Sequence, residues 1–335
     1  MRRRSLRGLE RRRIRNAKTQ LAILIGVFAF SLAAVAPVNA VPNPSPGPID
    51  VVVRSAAMHS DITVKVLPAA DQSRPVPTIY LLNGAAGGEG GSSWFDQTDV
   101  ATFFAGENVN VVVPMGGAAS YYTDWRRDDP TLGRQKWATF LTEELPPLMD
   151  ARFNGNGRNA IAGISMAGTS VFQLVLEAPA LYQAVGAYSG CAMTSDPEGQ
   201  AFVRLTVEAR GGGNTVNMWG PPSDPEWVRK DPYVNAERLR GKAIYLSNGT
   251  GLPGDHDVLA GPGVNGSVSK LAEQIVVGAV IETATNRCTH QMRDRLRQLG
   301  IPATVDLRDS GTHSWGYWQD DLHASWPIFK SALAG

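Results

Sequence analysis

Cysteine is nearly missing from this chain. Cys191 and Cys288 are the only two, and neither has the spacing of a metal-binding cluster. Histidine is scarce as well, with five in the chain, so a proton-transfer base has few candidates. No internal repeat is visible, which sets aside solenoid and propeller architectures. Long apolar runs are also lacking. The uncharged apolar stretch 21–36 falls short of the ~20 residues that span a bilayer comfortably. It follows a cationic start, with nine Lys or Arg against Glu10 over residues 1–18. It precedes Val38-Asn39-Ala40, whose small residues suit a signal peptidase. This pattern predicts a secretory signal peptide over 1–40, cleaved after Ala40, rather than a membrane anchor. No hydrophobic pair closely follows the paired arginines, so the expected route is general secretion rather than twin-arginine export.

Without that leader, cations become the minority. Lys plus Arg falls to 23 (32 less nine) and Asp plus Glu to 30 (31 less one), a net charge near −7. A mildly acidic exported domain is not a nucleic-acid binder. Residues 41–335 are long enough for one large α/β domain with a sizeable core, led in by the extended proline-rich stretch 42–48. Outside the cytosol, an even pair of cysteines reads as a disulfide, here Cys191–Cys288.

Apolar β-rich runs recur at 62–66, 78–82, 109–113, 160–162, 185–188, 243–246 and 303–307. Several are nearly continuous in Val, Ile and Leu, as strands buried on both faces of a parallel sheet require. Stretches 137–149 and 169–177 read as intervening helices, the second stopped by Pro179. Strands alternating with helices predict a mostly parallel, doubly wound α/β sheet with helices on both faces. Such sheets place their chemistry beyond the strand C-termini. The loops that matter most are then the glycine-rich 83–93 and 115–119.

One turn stands out. Residues 159–170 read N-A-I-A-G-I-S-M-A-G-T-S, an apolar strand running through Gly163 and Ser165 into a small-residue helix. That is the outline of a nucleophile elbow, with Ala167 where the second glycine of G-x-S-x-G usually stands and Gly168 one step later. The free N–H groups of the helix start would face a developing oxyanion. A serine nucleophile needs a base. His59 and His323 read as surface or packing positions, His290 lies in a polar helix beside Cys288, and His256 sits in a Gly/Asp turn. His313 follows the last strand, where the α/β-hydrolase order Ser…Asp/Glu…His puts the base. For the acid, position alone leaves open Asp255 and Asp257, after the strand 243–246, and Glu282, near the start of the helical stretch 281–299.

Five blocks resolve more. Leu81-Leu82-Asn83-Gly84, Ser120-Tyr121-Tyr122-Thr123-Asp124-Trp125, Gly163-Ile164-Ser165-Met166-Ala167, Asn217-Met218-Trp219-Gly220-Pro221 (with Asp224-Pro225-Glu226-Trp227) and Ser310-Gly311-Thr312-His313-Ser314-Trp315-Gly316-Tyr317-Trp318 resemble, in order, the secreted mycolyltransferases of antigen 85 type. The resemblance spans essentially the whole of 41–335. It implies an α/β-hydrolase fold and a secreted, cell-envelope acyltransferase. That enzyme would move mycolyl groups from trehalose monomycolate to a second trehalose ester or a cell-wall glycan. It would need no cofactor or metal, bind no nucleic acid, keep no membrane span after cleavage and act as a monomer.

The resemblance assigns Ser165 as nucleophile, His313 as base and Glu282 as acid. The oxyanion N–H groups fall on Ala85 and Met166, and Asn83, Trp94, Ser189 and Trp315 become substrate-binding residues. The best-known members carry an aspartate and an arginine where this chain has Asn83 and Ala86, so its sugar-binding mouth should be retuned. Two other readings share the sequence: a secreted carboxylesterase that gives the acyl group to water, and a non-catalytic binding relative.

Overall fold

A computed structural model describes residues 47–334; the expected signal peptide and most of the proline-rich lead-in lie outside them. An eight-stranded sheet runs in the order β1-β2-β4-β3-β5-β6-β7-β8. Its strands are β1 (Ile49–Ser55), β2 (Ser60–Leu67), β3 (Val76–Leu82), β4 (Asn110–Pro114), β5 (Gly155–Ile164), β6 (Tyr182–Tyr188), β7 (Ala243–Asn248) and β8 (Thr304–Leu307). The β1–β2 and β2–β4 pairs are antiparallel, and all pairs from β4 through β3 to β8 are parallel.

All seven expected strands are present. The strand not anticipated is β1, at the edge, where Val51, Val53 and Ser55 face inward and Val52 and Arg54 outward. Its three consecutive valines hide that alternation in the sequence. The helical stretch expected at 137–149 runs from 137 to 152. It begins with short α- and π-helical turns and ends in α1 (Leu145–Arg152).

Successive residues of the central strands point to opposite faces, and each face has its own core. Tyr80, Leu82, Ile161 and Val185 pack on one side with Phe172 and Val175 of α2 (Met166–Glu177). Ile79, Leu81, Ala160 and Ala184 pack on the other with Trp326 and Phe329 of the last helix. Residues 166–176 of α2 are buried all round, as suits a helix with no charged residue before its last position. Two further helices frame the site, α3 (Ala279–Gln298) and α4 (Trp315–Ala334). The second was not legible as a helix, because its start coincides with the aromatic His-Ser-Trp block. Gly186 admits α4 against the sheet: a Cβ there would lie 2.7 Å from the Phe329 ring. Cys191 and Cys288 are joined, with Cα atoms 5.0 Å apart, tying the segment after β6 to α3.

This topology locates the site. From β3 the chain crosses to β4 on one side, then returns past β3 to β5 on the other. The crevice at such a switch point lies beyond the C-termini of the strands flanking it. It brings the loop after β3 beside the turn after β5.

Candidate active site

Between β5 and α2 the chain turns within one residue. Ser165 has φ +55° and ψ −123°, a region L-residues rarely enter and one that persists only where the surroundings hold it. Here they do: Ser165 N–H donates to Tyr188 O at 2.9 Å, and Gly168 N–H to Ser165 O at 2.9 Å. Gly163 passes so close to the helix that a Cβ would sit 2.8 Å from Ala167 Cβ. Gly168 meets Gly190 backbone to backbone, with either added Cβ falling 2.7–2.8 Å from the other's Cα. The displaced second glycine of the motif therefore serves contact with the segment after β6, while Ala167 fits against Gly163.

Ser165, His313 and Glu282 converge from three elements. Ser165 Oγ lies 2.8 Å from His313 Nε2, and His313 Nδ1 lies 2.8 Å from Glu282 Oε2. Glu282, in the first turn of α3, is completely buried. Its second oxygen, Oε1, accepts from Ser189 Oγ (2.8 Å), Asn248 Nδ2 (2.8 Å) and Gly249 N–H (2.6 Å). A buried carboxylate with both oxygens hydrogen-bonded is fixed in both place and orientation. The imidazole is walled by Trp318, whose ring stands edge-on at 4.9 Å and whose Nε1–H donates to Ser189 Oγ. Asp257, one of the acids that position left open, lies elsewhere. It takes hydrogen bonds from the hydroxyls of Thr312 and Tyr317 and so braces the loop that carries His313. His256 pairs with Asp320 instead of the serine.

Near the acid the buried Asp321 pairs with the partly buried Arg308. Burial pushes the Asp321 carboxyl up to about 7. The neighbouring Glu282 charge adds to this, and Arg308 opposes it.

The two expected oxyanion donors lie at the serine. Met166 N–H is the first amide of α2, which has no acceptor within the helix. Ala85 follows Gly84, where a Cβ would be only 3.4 Å from Ser165 Cβ. The loop after β4 braces this segment: Ala119 N–H donates to Ala85 O (3.0 Å), Gly116 N–H to Gly87 O (2.7 Å), and Tyr121 N–H to Met166 Sδ (3.4 Å). Ala119, Tyr121 and Tyr122 all have positive φ, so this support is itself a held, strained turn.

Above these groups opens a cleft of about 400 Å³ with Ser165 and His313 in its lining. Trp315 contributes to its wall. The other three substrate-binding expectations need correction. Asn83 is buried, with Nδ2–H donating to Pro114 O and Oδ1 accepting from Trp94 N–H, so it fastens the loop after β3 to the end of β4. Trp94 is a core residue whose Nε1–H donates to Leu82 O. Ser189 is buried and faces Glu282, not the cleft. Residues the sequence reading missed are Asn248 and Gly249, which donate to the acid, and Thr289, which donates to Asn248 Oδ1 at 2.9 Å. They touch Glu282 or its holder across long sequence distances, and no local pattern marks them. Among the described residues no group of three or more His, Cys, Asp or Glu side chains is placed to hold a metal.

A serine on a strained strand-to-helix turn, a histidine after the last strand and a caged glutamate, all at the C-terminal edge of a mostly parallel sheet, have the arrangement of an α/β-hydrolase fold. The chain belongs to the Esterase family, described as "Putative esterase", whose model matches residues 55–328. It is 32% identical over 290 residues to the diacylglycerol acyltransferase/mycolyltransferase Ag85A of Mycobacterium tuberculosis, covering 84% of this chain and 80% of the relative. To Ag85A of Mycobacterium leprae it is 31% identical over 322 residues, covering 93% and 90%. Among solved structures it is similar to M. tuberculosis MPT51 (FbpC1), with a TM-score of 0.70 and 26% identity over 86% of this chain and 99% of that one. An S-formylglutathione hydrolase from Agrobacterium tumefaciens shares the fold, with a TM-score of 0.59 and 17% identity over 87% and 98%.

Proposed function

We propose that this protein is an exported acyltransferase that moves mycolyl-type acyl groups from a trehalose monoester to a second sugar hydroxyl through an acyl-enzyme on Ser165. The observation that carries the reading is the continuous Ser165–His313–Glu282 hydrogen-bond chain beneath the cleft. The likeness to Ag85A supports the acyl class.

In this mechanism His313 Nε2 accepts the Ser165 hydroxyl proton as Oγ attacks the ester carbonyl. Nδ1–H stays on the imidazole, and Glu282 stabilises the imidazolium that forms. The Met166 and Ala85 amides take the oxyanion, each worth roughly 3 kcal/mol in the transition state. The tetrahedral intermediate collapses as His313 returns the proton to the departing trehalose oxygen. The acceptor hydroxyl then gives its proton to His313 and attacks the acyl-enzyme, and Ser165 Oγ leaves with the proton from Nε2.

The cell envelope is the proposed location, from the leader at 1–40; no described helix is long and apolar enough to cross a membrane. The working unit is proposed to be a monomer acting on trehalose mycolates and cell-wall glycans.

Transfer to water is the competing reading, and one feature favours it. The segment 84–92 offers the cleft only Gly, Ala and Ser residues, so no charged side chain from it holds an acceptor sugar. Incubating the purified mature protein with trehalose monomycolate separates these outcomes: diester marks transfer, and free acid marks hydrolysis. Ser165→Ala should make neither while melting as the parent does. An active Ser165→Ala protein would remove the nucleophile assignment, and a parent that makes neither product and resists a serine-reactive phosphonate would point to the non-catalytic relative.

A further inference from the structure

Exposed apolar side chains are not spread evenly over this protein. Of the thirteen large ones among the described residues, seven fall in the short segment from Leu252 to Val280. Val268, Val276 and Val280 are 72%, 65% and 69% exposed. Charge is sparse on the same surface, where Lys270 and Glu273, of opposite sign and one helical turn apart, are the charged residues between two uncharged stretches. Residues 258–269 contain no Asp, Glu, Lys, Arg or His, and across 274–286 the one charged residue is Glu282, which is buried in the site. A solvated helix face normally carries charged and polar residues, and clustered exposed apolar surface marks a place of contact.

The cluster adjoins the cleft. Pro262, Gly263 and Asn265 from one uncharged segment, and Val277, Gly278 and Ile281 from the other, line the space over Ser165. The helix Val268–Glu273 and the π-helical turn Gln274–Gly278 lead into α3, so the same run that carries the exposed valines delivers Glu282 to the site.

On the reading that the site takes a long-chain acyl ester, we infer that the rim 252–281 is a docking surface that seats the cleft mouth on an uncharged or zwitterionic lipid surface. A long acyl chain is strongly disfavoured as a free monomer in water. Its ester is therefore presented from a lipid assembly, and an apolar rim lets the chain pass into the cleft without crossing water. The composition argues against a protein partner: residues 252–281 contain no Trp, Tyr, Phe or Arg, the anchors on which protein interfaces usually depend. The mature chain's negative charge argues against an anionic bilayer.

The test uses the mature protein carrying Ser165→Ala, so that no chemistry alters the lipid, and phosphatidylcholine vesicles with and without a trehalose diester. The protein should co-sediment with the vesicles. Adding Val276→Asp and Val280→Asp, neither of which lines the cleft, should lower the partition constant at least about tenfold. Val52→Asp with Val228→Asp, the same charge placed on other exposed valines, should lower it less than twofold. In the Ser165 parent, the 276/280 pair should leave hydrolysis of soluble p-nitrophenyl butyrate within twofold. If the 276/280 protein does not melt like its parent, Val268→Asp alone replaces it. The inference is overturned if the protein stays in the supernatant or if the two aspartate pairs act alike. The acyltransfer reading fails separately, if detergent-dispersed trehalose monomycolate yields no diester while vesicle binding persists.

Discussion

Replacing Glu282 by glutamine tests the site at its most constrained point. The change is nearly isosteric, so packing is preserved, and what alters is the hydrogen-bond polarity of one oxygen. Oε1 receives three donors, from Ser189, Asn248 and Gly249, while Oε2 faces a single partner, His313 Nδ1. Placing the amide NH₂ at the Oε1 position would oppose donor to donor three times, so the amide oxygen must take that position. The NH₂ then points at His313 Nδ1, which must become an acceptor. That tautomer puts the proton on Nε2, facing Ser165 Oγ, where a base is needed. The expected loss in kcat is on the order of 10⁴-fold, about 5 kcal/mol in the barrier, the size seen where a triad carboxylate is neutralised in a serine protease. The assay is turnover of a short soluble ester by purified protein, with thermal melting as the control for folding. Asp257→Asn is the matched comparison. It loosens the Thr312 and Tyr317 contacts without touching the imidazole, and should cost far less. A Glu282→Gln protein that melts normally and retains more than about a tenth of the parent rate would refute the tautomer argument, and a dead Asp257→Asn would move the acid to that residue.

Gly168→Ala should destabilise the fold by roughly 1–3 kcal/mol, because the new Cβ meets Gly190 backbone at 2.8 Å and no side chain can swing away; an unchanged urea midpoint would contradict this. Replacing Cys191 and Cys288 by serine opens a 97-residue link and should lower unfolding free energy by about 2–4 kcal/mol. Activity should fall with it, since the bond ties α3, which carries Glu282, to the segment after β6. Equal denaturation curves for the parent and the double variant would exclude that role. Asp321 has a folded pKa raised to about 7 by burial, above the ordinary carboxylate value near 3.9. The folded state then holds its proton more tightly, and the stability it contributes is full below about pH 4 and is lost as pH rises through 7. Melting temperatures of the parent and Asp321→Asn, followed from pH 4 to 8, should show any advantage of the parent shrinking as pH rises; an advantage that grows over that range would count against the raised pKa.

Much of this architecture was legible in the chain because it is local. Buried parallel strands need continuous apolar runs, and 78–82, 109–113, 160–162 and 185–188 display them. A tight strand-to-helix turn needs small residues around its serine, and Gly163, Ala167 and Gly168 supply them. What remained hidden rests on contacts between residues distant in sequence. Position along the chain left Asp255, Asp257 and Glu282 open, and only the family resemblance selected among them. In the fold Asp257 braces the histidine loop, while Ser189, Asn248 and Gly249 cage the glutamate. The family resemblance assigns Asn83 and Trp94 as substrate-binding residues. Hydrogen bonds to Pro114 and Leu82 turn both inward.

The sequence by itself determined the alternation of strands and helices, the elbow and the histidine after the last strand, since each depends on residue type and order over a few positions. Only the tertiary structure decided which polar groups meet. A buried carboxylate is placed by every donor that reaches it, and here those donors come from β7, from the turn after β6 and from the loop before α4, brought together by a crossover no local pattern records.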